Sequence, residues 1–276
     1  MSGKLRRSIL YWVLLSPLLI VVLFPYAVMI STAVKPTVEV FAFPPRWLPE
    51  HIDFSAFFDM WEGANFGIAL LNSAFVSVGS TLLVLLFAIP SGYALARYRL
   101  PGKRTFNLVL LLSQMISPVV LIIGIFRMMA AEHLVDDLKA VILANAGFSV
   151  AFAVWMLQSY FKTIPAEIEE AAYIDGASWF TSLWRIFLPL AAPAIGVTAT
   201  FTFISAWTDF ILAFTLLRSQ NNLTAIMKVF YLVSGSYHVD WNQVMAATLV
   251  ATLPVTITFI LLQRRIVGGL ALGAVK

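Results

Sequence analysis

The sequence predicts an all-α integral membrane protein with six transmembrane helices, and three observations support this prediction. Charged residues occupy only 12% of the 276 positions, about half of the ~25% that soluble domains carry. The mean hydropathy is +0.89. Six stretches without any charge are each long enough to cross a bilayer as a helix, which takes about 20 apolar residues. These stretches are residues 8–34, 63–96, 105–126, 140–161, 186–208 and 241–263.

Six membrane helices account for most of the sequence and leave no room for a second soluble domain, so we expect a single transmembrane domain over residues 1–276. The first apolar run has a basic start but exceeds the roughly 7–15 residues of a signal-peptide core, which predicts a retained helix. The fifth charge-free stretch, residues 186–208, continues to Leu217 and is interrupted only by Asp209. Because a span takes about 20 residues, we place the six helices at about 9–33, 69–96, 105–127, 140–161, 189–217 and 243–263.

The distribution of basic residues predicts that both termini are cytoplasmic. Lysine and arginine accumulate in cytoplasmic loops. With the N-terminus inside, twelve of the 18 lie in inner segments and six in outer ones. The loop at residues 162–188 is then cytoplasmic. The net charge of +4 has the same origin and does not indicate nucleic-acid binding.

Several site classes are excluded or disfavoured by the residue inventory. The chain has no cysteine, which excludes disulfides and thiolate metal sites. His51, His133 and His238 are far apart in sequence, so we expect no metal site and no catalytic residue. The string closest to a nucleotide-binding P-loop, around Gly102-Lys103, lacks the first glycine and the Ser/Thr that the motif requires. We therefore expect that this chain binds no ATP and is not an enzyme.

The loop at residues 162–188 is unusually acidic for this chain. Glu167, Glu169 and Glu170 fall in the opening turns of a predicted short helix, where the helix dipole favours anions. Gly176 suits a left-handed cap at the end of this helix, and Ser178 can cap a second, aromatic helix. An amphipathic loop lying on lipid is one interpretation. Anionic lipids would repel the acidic half, which favours docking into a protein cleft.

The spacing in this loop resembles a known family. Glu170-Ala171-Ala172, then Gly176, then Ile186-x-Leu188-Pro189 match the EAA loop of ABC-importer permeases at every defined position. Four further stretches resemble the carbohydrate-importer, maltose-type branch of these permeases, with Thr208 where asparagine is common in the family. They are Lys35–Glu50, Gly92–Phe106, Ala206–Phe210 and Gln263–Lys276.

The resemblance implies a bacterial, multi-pass inner-membrane permease with the fold of type I ABC importers. It implies a homologous second permease, two cytoplasmic ATPase subunits that bind ATP and Mg²⁺, and an extracytoplasmic solute-binding protein as partners. The loop would be the coupling helix held in a cleft of the ATPase. The residues implicated in that coupling are Glu167, Glu169, Glu170, Ala171, Ala172, Asp175, Gly176, Ile186, Leu188 and Pro189.

The candidate solute pathway rests on polar and aromatic groups within the spans. Sugars need hydrogen bonds to their hydroxyls and flat rings against their C–H faces. The candidates are Asn72, Asn145, Trp207, Thr208, Asp209 and Phe210. Since intramembrane cations are almost absent, a neutral sugar or polyol is favoured over a phosphate ester such as glycerol phosphate. A stand-alone secondary transporter, for which Asp209 would be the intramembrane carboxylate, and a non-transporting membrane scaffold are the alternatives.

Overall fold

The computed structural model describes residues 3–235 and 239–273, with side chains for residues 10–235 and 239–261; His238 and the last three residues of the stretch Gln263–Lys276 lie outside these ranges. The described residues form helices joined by turns and loops, and they contain no β-strand. The helices are α1 Gly3–Ala33, α2 Thr37–Val40, α3 Ser55–Glu62, α4 Phe66–Arg97, α5 Lys103–Ser113, α6 Pro118–Ala131, α7 Leu138–Phe161, α8 Ala166–Ile174, α9 Trp179–Ser182, a π-helical turn Leu183–Phe187, α10 Leu188–Leu190, α11 Ala192–Trp207, α12 Ile211–Leu216, α13 Ala225–Ser234 and α14 Trp241–Gly273.

Within the described part of the chain, four helices are long and apolar enough to cross a membrane, and six spans result if each of two bent helix pairs counts as one. The four are Leu10–Ala33, Phe66–Arg97, Leu138–Phe161 and Trp241–Leu261. They agree with the predicted first, second, fourth and sixth spans. The all-helical membrane class is confirmed.

The prediction of one continuous third helix over residues 105–127 is wrong. The segment folds as α5 and α6, whose axes differ by 97°. The break has a local cause, because Pro118 opens α6 and the residue before a proline is disfavoured in the α region. Ser117 is accordingly extended, with ψ of 135°.

The predicted fifth helix over residues 189–217 is also discontinuous. Its first part belongs to the preceding helix, since α9, the π turn and α10 run on as one helix, Trp179–Leu190, which bends by 78° into α11. We call Trp179–Leu190 the aromatic helix. The predicted fifth helix is interrupted a second time at Thr208–Phe210, after which α12 begins.

The chain divides into two compact units. The first comprises residues 1–67 and 228–253, and the second residues 68–227 and 254–276. In the first, Ala33, Ala56 and Ala246 form a buried cluster of small side chains, and Asn242 donates to the carbonyl of Lys35 at 3.4 Å.

The second unit contains the larger core, in which α4 packs closely on α7. A Cβ atom at Gly92 would lie 3.1 Å from both the backbone nitrogen of Gln158 and the Cβ of Leu157, so a larger residue would require the two helices to shift apart by a few tenths of an ångström. Gln158 donates from Nε2 to the Leu95 carbonyl at 3.3 Å, which ties the two helices together inside the core.

Candidate functional site

The predicted coupling loop folds as two helices joined by a glycine turn, and we call Ala166–Leu190 the hairpin. Gly176 has φ of +82°, the left-handed conformation expected of it. The Ala177 N–H donates to the Ala172 carbonyl at 2.9 Å and the Gly176 N–H to the Tyr173 carbonyl at 3.1 Å, the two bonds of a Schellman motif. Ser178 then caps the aromatic helix by accepting from the Thr181 N–H at 3.3 Å.

Helix α8 presents two different faces. Glu169 and Ala172 are buried against the protein. The opposite face is exposed and combines carboxylates with small and aliphatic side chains. It consists of Glu167, Glu170, Ala171 and Ile174, and Ile168 is exposed at its flank. Ile174 is 86% exposed, which leaves an apolar knob next to the acidic residues.

Glu169 lies in a polar cluster with the C-terminal end of α4. Its Oε1 accepts from the hydroxyls of Tyr93 at 2.5 Å and Tyr173 at 3.0 Å. Its Oε2 lies 3.4 Å from Nε of Arg97, and both side chains of this ion pair are only 10% exposed. Arg97 also donates to the Ile164 carbonyl at 2.6 Å, and its guanidinium lies 4.6 Å from the centroid of the Phe187 ring.

This cluster holds Tyr173 as a hydrogen-bond donor. Although the residue is 42% exposed, its hydroxyl lies against Glu169 and within 3.4 Å of the Tyr98 hydroxyl. Burial raises the pKa of Tyr173 to about 12, and these two contacts act in the same direction. The hydroxyl therefore stays protonated at physiological pH.

The aromatic helix also has two faces. Leu183 and Phe187 are fully buried in the core of the second unit, and Phe187 lies 5.0 Å from the Tyr93 ring. These two residues anchor the hairpin to α4. Phe180 and Trp184 are exposed instead.

A cavity of about 330 Å³ opens at the bend between α5 and α6. Among the described residues, its lining contains three phenylalanine rings and several uncharged polar groups, with no ionisable side chain. The lining residues are Ser113, Gln114, Ile116, Pro118, Phe148, Ser149, Phe152, Phe201, Thr202 and Ser205. Gln114 donates from Nε2 to the Phe148 carbonyl at 3.1 Å, which ties this lining side chain to α7.

The residues around the break in the fifth span mainly cap and pack. Asp209 accepts from the N–H groups of Leu212 at 3.3 Å and Ala213 at 3.1 Å, so it caps α12. Asn145 lies 3.5 Å from the same carboxylate. Trp207 is buried and its ring stacks on Phe203.

Asn72 and Asp136 organise the segment that follows α12. Asn72 donates to the carbonyls of Asn221 at 2.7 Å and Leu223 at 3.0 Å. Asp136 accepts from the N–H groups of Arg218 at 2.8 Å and Ser219 at 2.9 Å. Partial burial raises the pKa of Asp136, but the hydrogen bond from the Ser219 hydroxyl, together with those from the two backbone N–H groups, outweighs it and lowers the pKa to about 2. This stabilisation is present above about pH 4 and is lost only as the pH falls through about 2.

Comparisons with known proteins place these features in a family. Residues 85–271 match the family described as the binding-protein-dependent transport system inner membrane component. The inner membrane ABC transporter permease protein YcjP of Escherichia coli is 35% identical over 94% of this chain and 92% of its own length. The chain belongs to this family.

Two further proteins resemble the permease over almost its full length. A diacetylchitobiose uptake system permease of Streptomyces coelicolor is 32% identical, covering 94% of each chain. A solved bacterial ABC transporter involved in the import of the acidic polysaccharide alginate has the same fold, with a TM-score of 0.81, 24% identity and coverage of 96% of the permease and 98% of that chain.

The structure separates the sequence-predicted coupling residues into groups. Glu167, Glu170 and Ala171 face outward on α8, and the cap at Asp175 and Gly176 is exposed beside them. Glu169 and Ala172 face inward, so the outward face of α8 carries two of the three glutamates. Ile186, Leu188 and Pro189 lie on the aromatic helix, where Ile186 and Leu188 are partly buried and Pro189 is exposed.

The predicted pathway residues of the permease are not brought to the cavity at the α5–α6 bend. The hydrogen bonds and ring contacts described above involve Asn72, Asn145, Trp207 and Asp209. The ring of Phe210 stacks on that of Phe214, with centroids 5.1 Å apart. Thr208 is exposed, with its hydroxyl donating to the Ile204 carbonyl. The polar lining residues at the bend stand out in the sequence as isolated amide and hydroxyl groups in apolar stretches, but only the bend reveals that they meet.

Proposed function

We propose that this permease translocates a neutral carbohydrate or polyol as the transmembrane subunit of an ATP-driven importer. The cavity at the α5–α6 bend supports the substrate class, since aromatic rings and uncharged polar groups suit the C–H faces and hydroxyls of a sugar. The relative from Streptomyces coelicolor is named for uptake of diacetylchitobiose.

The assembly that we propose contains a homologous second permease, two ATPase subunits and an extracytoplasmic binding protein. The family description refers to binding-protein-dependent transport, which supports the last of these. ATP and Mg²⁺ would be bound by the ATPases, so this subunit would be non-catalytic and hold no cofactor. Both termini and the hairpin would lie on the cytoplasmic side of a bacterial inner membrane, with residues 1–276 acting as one transmembrane domain.

The observation that carries the coupling role is the outward face of α8. Glu167, Glu170, Ala171 and Ile174 form a short acidic and apolar surface on a rigidly capped helix, which suits a cleft on the ATPase. Because Glu169 and Phe187 tie the hairpin to α4, a displacement of α8 would be transmitted to that span.

Substrate-stimulated ATP hydrolysis in reconstituted vesicles tests the coupling. Glu170→Lys should abolish most of the stimulation by the loaded binding protein, because it places the wrong charge in the cleft. Glu132→Lys, an exposed carboxylate outside the hairpin, should leave stimulation unchanged. Undiminished stimulation in Glu170→Lys would contradict the coupling role.

Uptake of a radiolabelled sugar tests the cavity. Gln114→Leu replaces the amide with an apolar side chain of similar size, so transport should fall while the folded complex persists. Gln220→Leu, an exposed amide outside the cavity, is the matched control. Uptake that persists without ATPase subunits would point instead to a secondary transporter.

A further inference from the structure

The aromatic helix exposes a surface that the coupling role does not use. Phe180 is 55% exposed and Trp184 is 47% exposed, and their ring centroids lie 5.8 Å apart. Trp179 contacts Phe180 edge-on at 5.7 Å and is also exposed. We call these three rings the aromatic face.

We propose that the aromatic face rests in the interfacial region of the lipid bilayer, so that the hairpin docks on two partners at once: α8 on the ATPase and the aromatic helix on lipid. The assignment to the cytoplasmic leaflet rests on the proposed function. The contact with lipid does not rest on the proposed function, because it is argued from the geometry and the residues of the aromatic helix.

The bend at Ala191 gives the aromatic helix the required orientation. Spans are tilted on average by about 20° from the bilayer normal. The aromatic helix makes an angle of 78° with α11, which is the start of the fifth span, so it lies close to the membrane plane. Its opposite face is held by the buried residues Ser182, Leu183 and Phe187, which leaves the aromatic face pointing away from the protein core.

The chemistry of this face suits lipid better than water or a polar protein cleft. Tryptophan is enriched at membrane interfaces, and contiguous exposed apolar patches usually mark an interaction site. Arg185 is the only charged residue between positions 176 and 208 and is exposed. A single cation next to aromatic rings favours an anionic leaflet, whereas the three exposed carboxylates Glu167, Glu170 and Asp175 confine α8 to the aqueous side.

Spin-label accessibility in the assembled transporter tests this division of the hairpin. Single cysteines replace Phe180, Trp184 or, as the matched control, the exposed Ile174 in the cysteine-free chain, and each carries a nitroxide. The complex is reconstituted in liposomes that contain anionic lipid. Collisions with molecular oxygen report hydrocarbon, and collisions with a water-soluble nickel chelate report water.

Labels at Phe180 and Trp184 should collide several-fold more with oxygen than with nickel, whereas the label at Ile174, which the ATPase cleft would cover, should be protected from both reagents. Nickel accessibility at both aromatic positions would overturn the proposal, since it would place them in water. Protection from both reagents would also overturn it, because a protein surface would then cover the face. Oxygen-dominated collisions at Ile174 as well would contradict ATPase docking of α8 but would support lipid contact of the aromatic face.

Discussion

At the residue scale, two adjacent glutamates of the hairpin have opposite environments. Successive residues on an α-helix are rotated by about 100°, so Glu169 faces the protein and Glu170 faces outward. The sequence predicts an acidic helix here, yet it cannot tell the two residues apart, because two of the partners of Glu169, Tyr93 and Arg97, come from α4, more than 70 positions away.

Removing one partner of the Arg97–Glu169 pair should destabilise the permease. Arg97→Met and Glu169→Leu each leave a charge that is almost buried without its partner, which costs about 3 kcal/mol. The double variant should recover most of this loss. The thermal unfolding midpoint of the purified complex measures the effect, with Glu170→Leu as the neighbouring control. A double variant as unstable as the sum of the singles would show that the pair is not coupled.

Asp209 illustrates how an isolated carboxylate in an apolar stretch can have a structural role. Because it caps α12, Asp209→Asn should retain uptake, since asparagine caps nearly as well as aspartate. Asp209→Leu should lose the cap, at about 1 kcal/mol, and reduce both assembly and uptake. Co-purification and transport assays are the measurements. If both variants assembled normally but abolished uptake, the result would contradict a purely structural role and support a position of Asp209 in the solute pathway.

At the element scale, the sequence predicts where helices occur better than how they bend. Apolar runs identify all six candidate spans, but charge-free stretches do not show that residues 114–117 form a 97° bend or that the fifth span is interrupted after Trp207. The hairpin is better encoded, because Gly176 and Ser178 are local capping signals whose effect needs no distant partner.

A β-branched side chain at Gly176 should uncouple the transporter. Gly176→Val forces a non-glycine residue into φ of +82°, at a cost of about 1–2 kcal/mol, and loosens the Schellman cap that orients α8. Transport and binding-protein-stimulated ATP hydrolysis should fall. Gly102→Val is the matched control, because Gly102 has φ of +75° and an added Cβ at either glycine meets no atom within 4 Å. Equal loss in both variants would assign the effect to backbone strain alone.

At the scale of the whole molecule, charge distribution and structure give complementary information. The excess of basic residues in alternate loops predicts which loops share a side of the membrane, while the helices determine which loops are connected by spans. Lys162 and Asn221, both exposed, flank the segment that contains the hairpin and the fifth span, so the proposed topology places them on opposite sides.

Single-cysteine labelling of intact cells tests this topology. The cysteine-free chain allows Lys162→Cys and Asn221→Cys to be compared with a membrane-impermeant maleimide. Asn221→Cys should react from outside, and Lys162→Cys should react only after the membrane is opened, because the fifth span separates the two positions once. External labelling of both would mean that the bent segment Trp179–Trp207 re-enters the membrane without crossing it, and the hairpin could not then meet a cytoplasmic ATPase. If Lys162→Cys reacted from outside and Asn221→Cys did not, the orientation in the membrane would be the opposite of the one that the basic residues predict.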